Sequence, residues 1–308
     1  MNFTLHQLRV FAVIVEKQSI TKAAEELNMT QPAASIQLRK LQDQFDIPLT
    51  EVIGRRLHIT DFGMELYQIA LRVLAEMDSI NYQTLNYKGI LSGKLRISVV
   101  STGKYVMPYF LRSFLKENPG IDLEMDVTNK RKVVSSLEEN EVDFSLVSVL
   151  PQHLSVHEEV LMSNKLYLFG PHDANIRIKE KQDASVFKEL PLIFREEGSG
   201  TRFAMQQYFH KAHIRPKISL SLTSTEAVKQ AVVAGLGYSV LSILSLKNEL
   251  QLKAVKVIPV KGFPLHSQWR LIWLQKKQLS AVANAYLQYV RKHKAGIIRE
   301  HFSWASQY

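Results

Sequence analysis

The sequence predicts an α/β protein that opens with an all-α module, and three observations carry that reading. Two short amphipathic segments a few residues apart begin the chain, a long segment with an apolar seam follows, and from Leu95 strand-like and helix-like stretches alternate in two similar halves. At 308 residues the chain has room for two or three compact units, each with its own core. Hydrophobic content of 46% and charged content of 22% exclude a disordered or fibrous chain. The absence of cysteine excludes disulfides and thiolate metal sites. The start, "MNFTLHQLRVF", lacks a basic region followed by an apolar core, so no signal peptide is expected. The longest uncharged run, 230–246, contains Gly235 and Gly237 and falls short of the ~20 apolar residues of a spanning helix. A cytoplasmic protein with no membrane partner is expected.

Leu5, Leu8, Phe11, Ala12 and Val15 recur at helical spacing and predict a first helix. Thr21 is the expected cap of a second, 22–27, whose Ala23 and Ala24 permit close approach of a neighbour. Asn28 and Met29 form a tight turn, and a third helix opens with Thr30 as cap and Pro32 in its first turn, where a missing N–H costs little. Short helix, turn and longer helix make a helix-turn-helix. Ala34, Leu38, Leu41 and Phe45 form the buried stripe of the third helix, which leaves Gln31, Ser35, Gln37 and Arg39 outward. Amides and hydroxyls near a helix N-terminus suit base edges in a major groove, so Thr30, Gln31, Pro32, Ala33, Ser35, Gln37 and Arg39 are the candidate DNA contacts. Residues 47–60 read as two short strands around Gly54, a wing whose Arg55 and Arg56 are placed for backbone phosphates.

Phe62, Leu66, Ile69, Val73, Met77 and Ile80 mark a long helix with an apolar seam. Such a helix is marginal alone in water, so Leu66, Ile69, Val73 and Met77 are expected to pair with a second copy. "KGILSGK", 88–94, is the expected hinge. The formal charge of +10 does not by itself point to nucleic acid: residues 1–60 hold seven basic and six acidic side chains. Ten Lys or Arg and no Asp or Glu lie between Gln251 and Arg299, which reads as a solvated basic surface.

Beyond the hinge, "LRISVV", "IDLEMDV" and "DFSLVSV" read as strands separated by helices, and "LPLIF", "ISLSL" and "YSVL" repeat the pattern. Two βα-rich halves predict two parallel-sheet lobes with a cleft between them, where ligands bind beyond the carboxyl ends of strands. "STG" (Ser101, Thr102, Gly103) with Lys104 meets that rule in the first half. "REEGSGTR" meets it in the second, with Arg195, Gly198, Ser199, Gly200, Thr201 and Arg202. Asn129 and Ser148, near the ends of the second and third strands, complete the candidate set. Exposed backbone N–H groups, hydroxyls and cations together suit an anionic or hydroxyl-rich ligand.

Catalytic readings of the same loops fail residue by residue. A nucleophile elbow needs glycines where Glu197 and Thr201 stand, and a P-loop needs a lysine that Gly200-Thr201-Arg202 lacks. "GLGYSV" leads into a strand and lacks the third glycine of a dinucleotide fingerprint. His210 and His213 share a helix face with no third metal ligand in sight. No enzyme, no metal and no cofactor are expected.

The residues also carry a resemblance. "FAVIVEKQSITKAAEELNMTQPAASIQLRKLQDQFDIPL" followed by "GRRLHITDFG" is similar to the winged helix-turn-helix of LysR-type transcriptional regulators, across residues 3–63. Ser19, Thr21, Ala23, Ala24, Leu27, Gln31, Pro32, Ser35, Leu41, Pro48, Gly54 and Gly63 fall in register. Three positions depart: Thr50 replaces the usual Phe, Val52 a wing Arg, and Ile36 a frequent basic residue. "SVVSTGKYVMP", "LPLIFREEGSGTR", "TEAVKQAVVAGLGYSVLS" and "GFPLHSQWRLI" most resemble regulators of carbon-fixation (Calvin-cycle) operons.

That resemblance implies a winged helix-turn-helix at 1–60, a dimerising linker helix and hinge at 61–92, and a periplasmic-binding-protein-like effector domain at 93–308. It implies a first lobe of 93–164 and 267–300 and a second of 165–266. It also implies double-stranded DNA with a pseudo-palindromic operator, RNA polymerase and a further copy (dimer or tetramer) as partners. The implied effector is a small phosphorylated sugar or NADPH. The rival reading is a small-molecule binding protein that kept a degenerate DNA module, which the missing signal peptide opposes.

Overall fold

The computed structural model describes residues 2–54, 56–87, 89–174 and 182–308, and contacts divide the chain between Ile90 and Leu91 into two units. In the first unit α1 (Leu5–Lys17) opens with a capping box. The Gln7 N–H donates to Thr4 Oγ1 at 3.2 Å and the Thr4 N–H to Gln7 Oε1 at 2.7 Å. Gln18 then turns left-handed (φ 50°), so the chain enters α2 (Ile20–Glu26) earlier than expected. Ser19, not Thr21, is therefore the cap, accepting the Lys22 N–H at 3.3 Å. Asn28 (φ 53°) makes the turn into α3 (Gln31–Gln42), which Thr30 caps through the Ala33 N–H at 3.4 Å. Strands β1 (Thr50–Ile53) and β2 (Arg56–Ile59) pair antiparallel as the wing, and α4 (Asp61–Tyr87) follows. Phe11, Ile14, Ala23, Ala34, Leu41 and Leu49 form a fully buried core for this unit.

Leu66 corrects the expected seam. It is 6% exposed and packs with Ala70 into that core, whereas Ile69, Val73 and Met77 are 46%, 36% and 39% exposed. The 66/70 row faces α1, and the 69/73/77 row faces away from it. Leu66 is thus a core residue of the first unit and offers nothing to a second helix.

The second unit begins with β3 (Ser92–Val100), so residues 92–94 of the expected hinge are already strand, and Lys88 lies outside the described residues. A 3₁₀ turn at Ser101–Tyr105 leads to α5 (Met107–Glu117), β4 (Gly120–Thr128), α6 (Lys130–Glu138) and β5 (Phe144–Val147). Then come β6 (Val156–Pro171), β7 (Leu192–Arg195), α7 (Gly200–Lys211), β8 (Ile218–Leu222) and α8 (Thr225–Val233). The chain closes with β9 (Ser239–Ser242), α9 (Lys247–Gln251), β10 (Val255–Ile258), β11 (Leu265–Leu274) and α10 (Ala281–Phe302).

The expected parallel strands are present: β3 lies between β4 and β5, parallel to both, and β7 is parallel to β8. The expectation of two purely parallel sheets is corrected by β6 and β11. These long strands pair antiparallel with each other, and they join the β3–β4–β5 half to β9 and β10 in one seven-stranded sheet. One hydrophobic cluster centres on Phe110, Phe144, Trp269 and Tyr286, and another on Phe187, Phe194, Met205 and Phe209. The first cluster runs on into the second half through Phe169, Ile193, Val232 and Leu241, whereas the other lies wholly within that half. Among the described residues no helix is long and apolar enough to cross a membrane.

Candidate functional site

In the first unit, Gln31, Pro32, Ile36, Arg39 and Lys40 are exposed on α3, with Ser35, Gln37 and Ala33 half-buried beside them. Thr30 spends its hydroxyl on the helix cap. Gln31 lines one open groove with Ser19 and Thr21 on one side and Val52, Arg56 and His58 of the wing on the other. Ion pairs in this unit join Lys17 to Glu16 and Glu26, and no carboxylate of the described residues pairs with Arg39, Lys40 or Arg56. Exposed amides flanked by uncommitted cations fit a polyanion whose grooves carry hydrogen-bonding edges. Arg55 lies outside the described residues.

The second unit holds a small cleft, about 20 Å³ of free volume, where the ends of β3, β5 and β7 meet the N-terminus of α7. Ser101, Thr102, Ser148, Arg195, Ser199, Gly200 and Thr201 line it, together with Val100, Lys130, Val147, Val149 and Glu196. Gly200 is required by proximity: a Cβ there would sit 2.6 Å from Ser148 Oγ, so α7 starts hard against the opposite wall. Ser199 caps α7, accepting the Arg202 N–H at 3.1 Å. Helix geometry gives the N–H groups of Gly200 and Thr201 no intrahelical acceptor. They present the positive end of the helix to the cleft.

Arg195 is 3% exposed and fully engaged. Its Nε and Nη2 donate to the two carboxylate oxygens of Glu196, each at 2.6 Å. Nη2 also donates to Ser101 Oγ at 3.2 Å, and Nη1 donates to Thr225 Oγ1. Arg195 and Glu196 neutralise each other, so the uncompensated charge of the cleft is Lys130. Its ammonium has no carboxylate partner among the described residues, and loss of water around it holds its pKa below the ordinary lysine value of 10.5.

Five expected ligands do not line the cleft. Gly103 packs inward, where a Cβ would meet Val99 and Leu146 at 2.5 and 2.8 Å. Lys104 turns to Glu226 at 4.0 Å and lies over the Tyr105 ring. Asn129 caps α6 by accepting the Lys132 N–H at 3.0 Å. Gly198 makes the left-handed turn (φ 83°) ahead of α7. Arg202 donates to the Arg195 carbonyl at 3.1 Å and to Glu197 at 3.2 Å, stacking over Phe194. Lys130 and Glu196 were not among the expected ligands. "NKRK" offers three adjacent cations, and nothing local in the sequence says which one turns inward.

No group of three or more His, Asp or Glu among the described residues is arranged to hold a metal ion. Residues 88–295 match the family model described as LysR substrate binding domain, and residues 5–64 match the bacterial regulatory helix-turn-helix protein model of the lysR family. The chain belongs to the LysR family. This LysR-type transcriptional regulator is 34% identical over 296 residues to the HTH-type transcriptional activator CmpR of Synechocystis sp., spanning 96% of this chain and 97% of that one. It is 35% identical over 295 residues to the RuBisCO operon transcriptional regulator of Allochromatium vinosum, spanning 96% and 98%. The regulatory domain of Synechocystis CcmR, solved in complex with 2-PG, superposes on it with a TM-score of 0.63 at 32% identity, covering 66% of this chain and 98% of that domain. The LysR regulator therefore combines a DNA-binding module with an effector-binding domain, and the Allochromatium relative is by name a regulator of a RuBisCO operon.

Proposed function

We propose that this LysR regulator controls its promoter in response to a small phosphorylated or otherwise anionic metabolite held between the two lobes. The observation that carries the reading is the unpaired Lys130 ammonium in a cleft walled by the N-terminus of α7 and five hydroxyls. The 2-PG carried by the CcmR regulatory domain supports the same class of ligand. Lobes of 93–164 with 267–300, and of 165–266, contribute opposite walls. A ligand touching both favours one arrangement of the lobes, and only that differential affinity can act on the DNA modules. Gln31, Ser35 and Gln37 read base edges, while Arg39, Arg55 and Arg56 hold phosphates of a pseudo-palindromic operator. Ile69, Val73 and Met77 pair α4 with a second copy, and RNA polymerase receives the signal at the promoter. Its site of action is the cytoplasm, where the promoter DNA it reads lies.

The test is a thermal-shift and calorimetric screen of the full chain with 2-PG, sugar phosphates, nucleotides and simple carboxylates. A stabilising anion is expected. Thr201→Val keeps shape and deletes a donor, and it is expected to cost ~1–3 kcal/mol of binding. Lys130→Gln removes the free charge and is expected to cost at least as much. A ligand that binds both variants as tightly as the native chain overturns this site.

A further inference from the structure

The outward face of α3 has an apolar centre. Ala34, Leu38 and Leu41 are 0%, 7% and 0% exposed and define the inward stripe. At about 100° per residue, Ile36 projects half a turn away from the middle of that stripe. It is 52% exposed, with exposed Pro32 one turn behind it and exposed Arg39 and Lys40 one turn ahead. A single exposed isoleucine on an ordinary surface helix needs no explanation. Here the helix is the second of a helix-turn-helix, and its outward face is the one that enters a major groove. Of the features a base pair shows in that groove, only the thymine C5-methyl is apolar.

We infer that Ile36 is a specificity-determining residue that packs on a thymine methyl in each half-site of the operator. The side chain has no donor, acceptor or charge, so it gives a phosphate or a polar base edge nothing and leaves it unsolvated. The same face carries its cations at Arg39 and Lys40, which leaves phosphate contact to them. This inference rests on α3 being the DNA-reading helix.

Double-stranded oligonucleotides selected by the full-length protein from a random pool are the probe. In the best of them each thymine is replaced singly by deoxyuridine, which deletes the methyl and leaves base pairing intact. Burying one methyl is worth about fourfold in affinity. At one position per half-site, deoxyuridine is expected to weaken native binding by about that factor and to leave Ile36→Ala unaffected. Ile36→Arg is expected to show no deoxyuridine effect and a salt slope steeper by about one. Both variants alter an exposed position, and circular dichroism verifies their folding. Selected sites with no methyl-sensitive position, or a sensitivity that persists in Ile36→Ala, overturn the inference while leaving DNA recognition intact. Failure to enrich any sequence overturns the DNA-reading face itself.

Discussion

Gly63, the third residue of α4, sits where that helix crosses the chain entering the wing. A methyl added there would lie 2.1 Å from the Leu49 carbonyl oxygen and 2.9 Å from Ile59 Cγ2. Ordinary contact is near ~3.5 Å, so the oxygen has to retreat by more than ~1 Å. It cannot do so cheaply. Leu49 is fully buried, its carbonyl accepts the Thr60 N–H at 3.1 Å, and its own N–H is held by Gln42 Oε1 at 2.5 Å. Thr60 Oγ1 in turn donates to the Pro48 carbonyl at 2.6 Å and accepts the Gly63 N–H at 2.9 Å. Overpacking costs ~1–3 kcal/mol, and a backbone obstacle puts this case at the upper end. The better helix propensity of alanine returns at most ~1 kcal/mol. Gly63→Ala is therefore expected to destabilise the first unit by about 2 kcal/mol, close to a thirtyfold rise in opening. Hydrogen exchange in the full chain reads this directly: the most protected amides of α1 and α3 should exchange about thirtyfold faster. Trp269, Trp273 and Trp304 all lie in the second unit, so tryptophan emission should stay unchanged. DNA affinity should fall because the wing shifts against α3. Native exchange rates and native DNA affinity in Gly63→Ala would refute the reasoning.

Two further perturbations separate roles that the sequence merges. Leu66→Ala deletes a buried side chain and should cost ~2–4 kcal/mol of first-unit stability, whereas Ile69→Asp with Val73→Asp should abolish self-association and leave that unit folded. Sedimentation and exchange on the same samples check both, and an unchanged oligomer in the double variant rejects the seam. The cleft should also respond to pH through Lys130, whose pKa burial holds below 10.5. Below that depressed value the ammonium is charged and an anion binds fully. As pH rises through it, affinity should fall before ordinary lysines titrate, and Lys130→Gln should flatten the profile. Without ligand the sign reverses. The folded state binds fewer protons than the unfolded one, so stability should climb as pH passes the folded value toward 10.5. Calorimetric titration between neutral and alkaline pH, with and without 2-PG, checks both arms.

The first unit was largely legible because its signals are local. Helical spacing, the Thr30–Pro32 start and the turn at Gly54 each act within a few residues. The sequence is ambiguous where two local options compete, as with Ser19 and Thr21, or where neighbouring helical rows overlap, as with Leu66. Strand β6 escaped the reading because charges interrupt it: Glu158, Glu159 and Lys165 break any alternation. Two of those charges are answered from far along the chain. Glu158 pairs with Arg270 at 3.0 Å, and Glu159 with Arg291 and Lys294 at 2.8 and 2.6 Å. The basic stretch after Gln251 is thus partly spent on holding the sheet to α10, which composition alone could not tell. In the cleft, the loops were found by their place after strands, but individual side chains were not. One step along a helical turn rotates a residue by ~100°, and Lys104, Asn129 and Arg202 are each one or two steps from a lining residue.

The paired strands β6 and β11 set the mechanics of any response. The halves are joined by a hydrogen-bonded ribbon, in which Leu265–Gln268 pair with 163–166 and Arg270–Leu274 with 156–160. A hydrogen-bonded ribbon twists and bends more readily than it stretches, so a small rotation that keeps the ladder intact is the motion that fits the proposed response. Its compliant point is the register shift between Trp269 and Arg270, where the regular pairing is interrupted. Trp269 is 1% exposed at that point, and its indole Nε1 finds no acceptor among the described residues. On the proposed reading, a ligand in the cleft acts through a ladder that turns about this point, where Trp269 is an intrinsic fluorophore at the pivot.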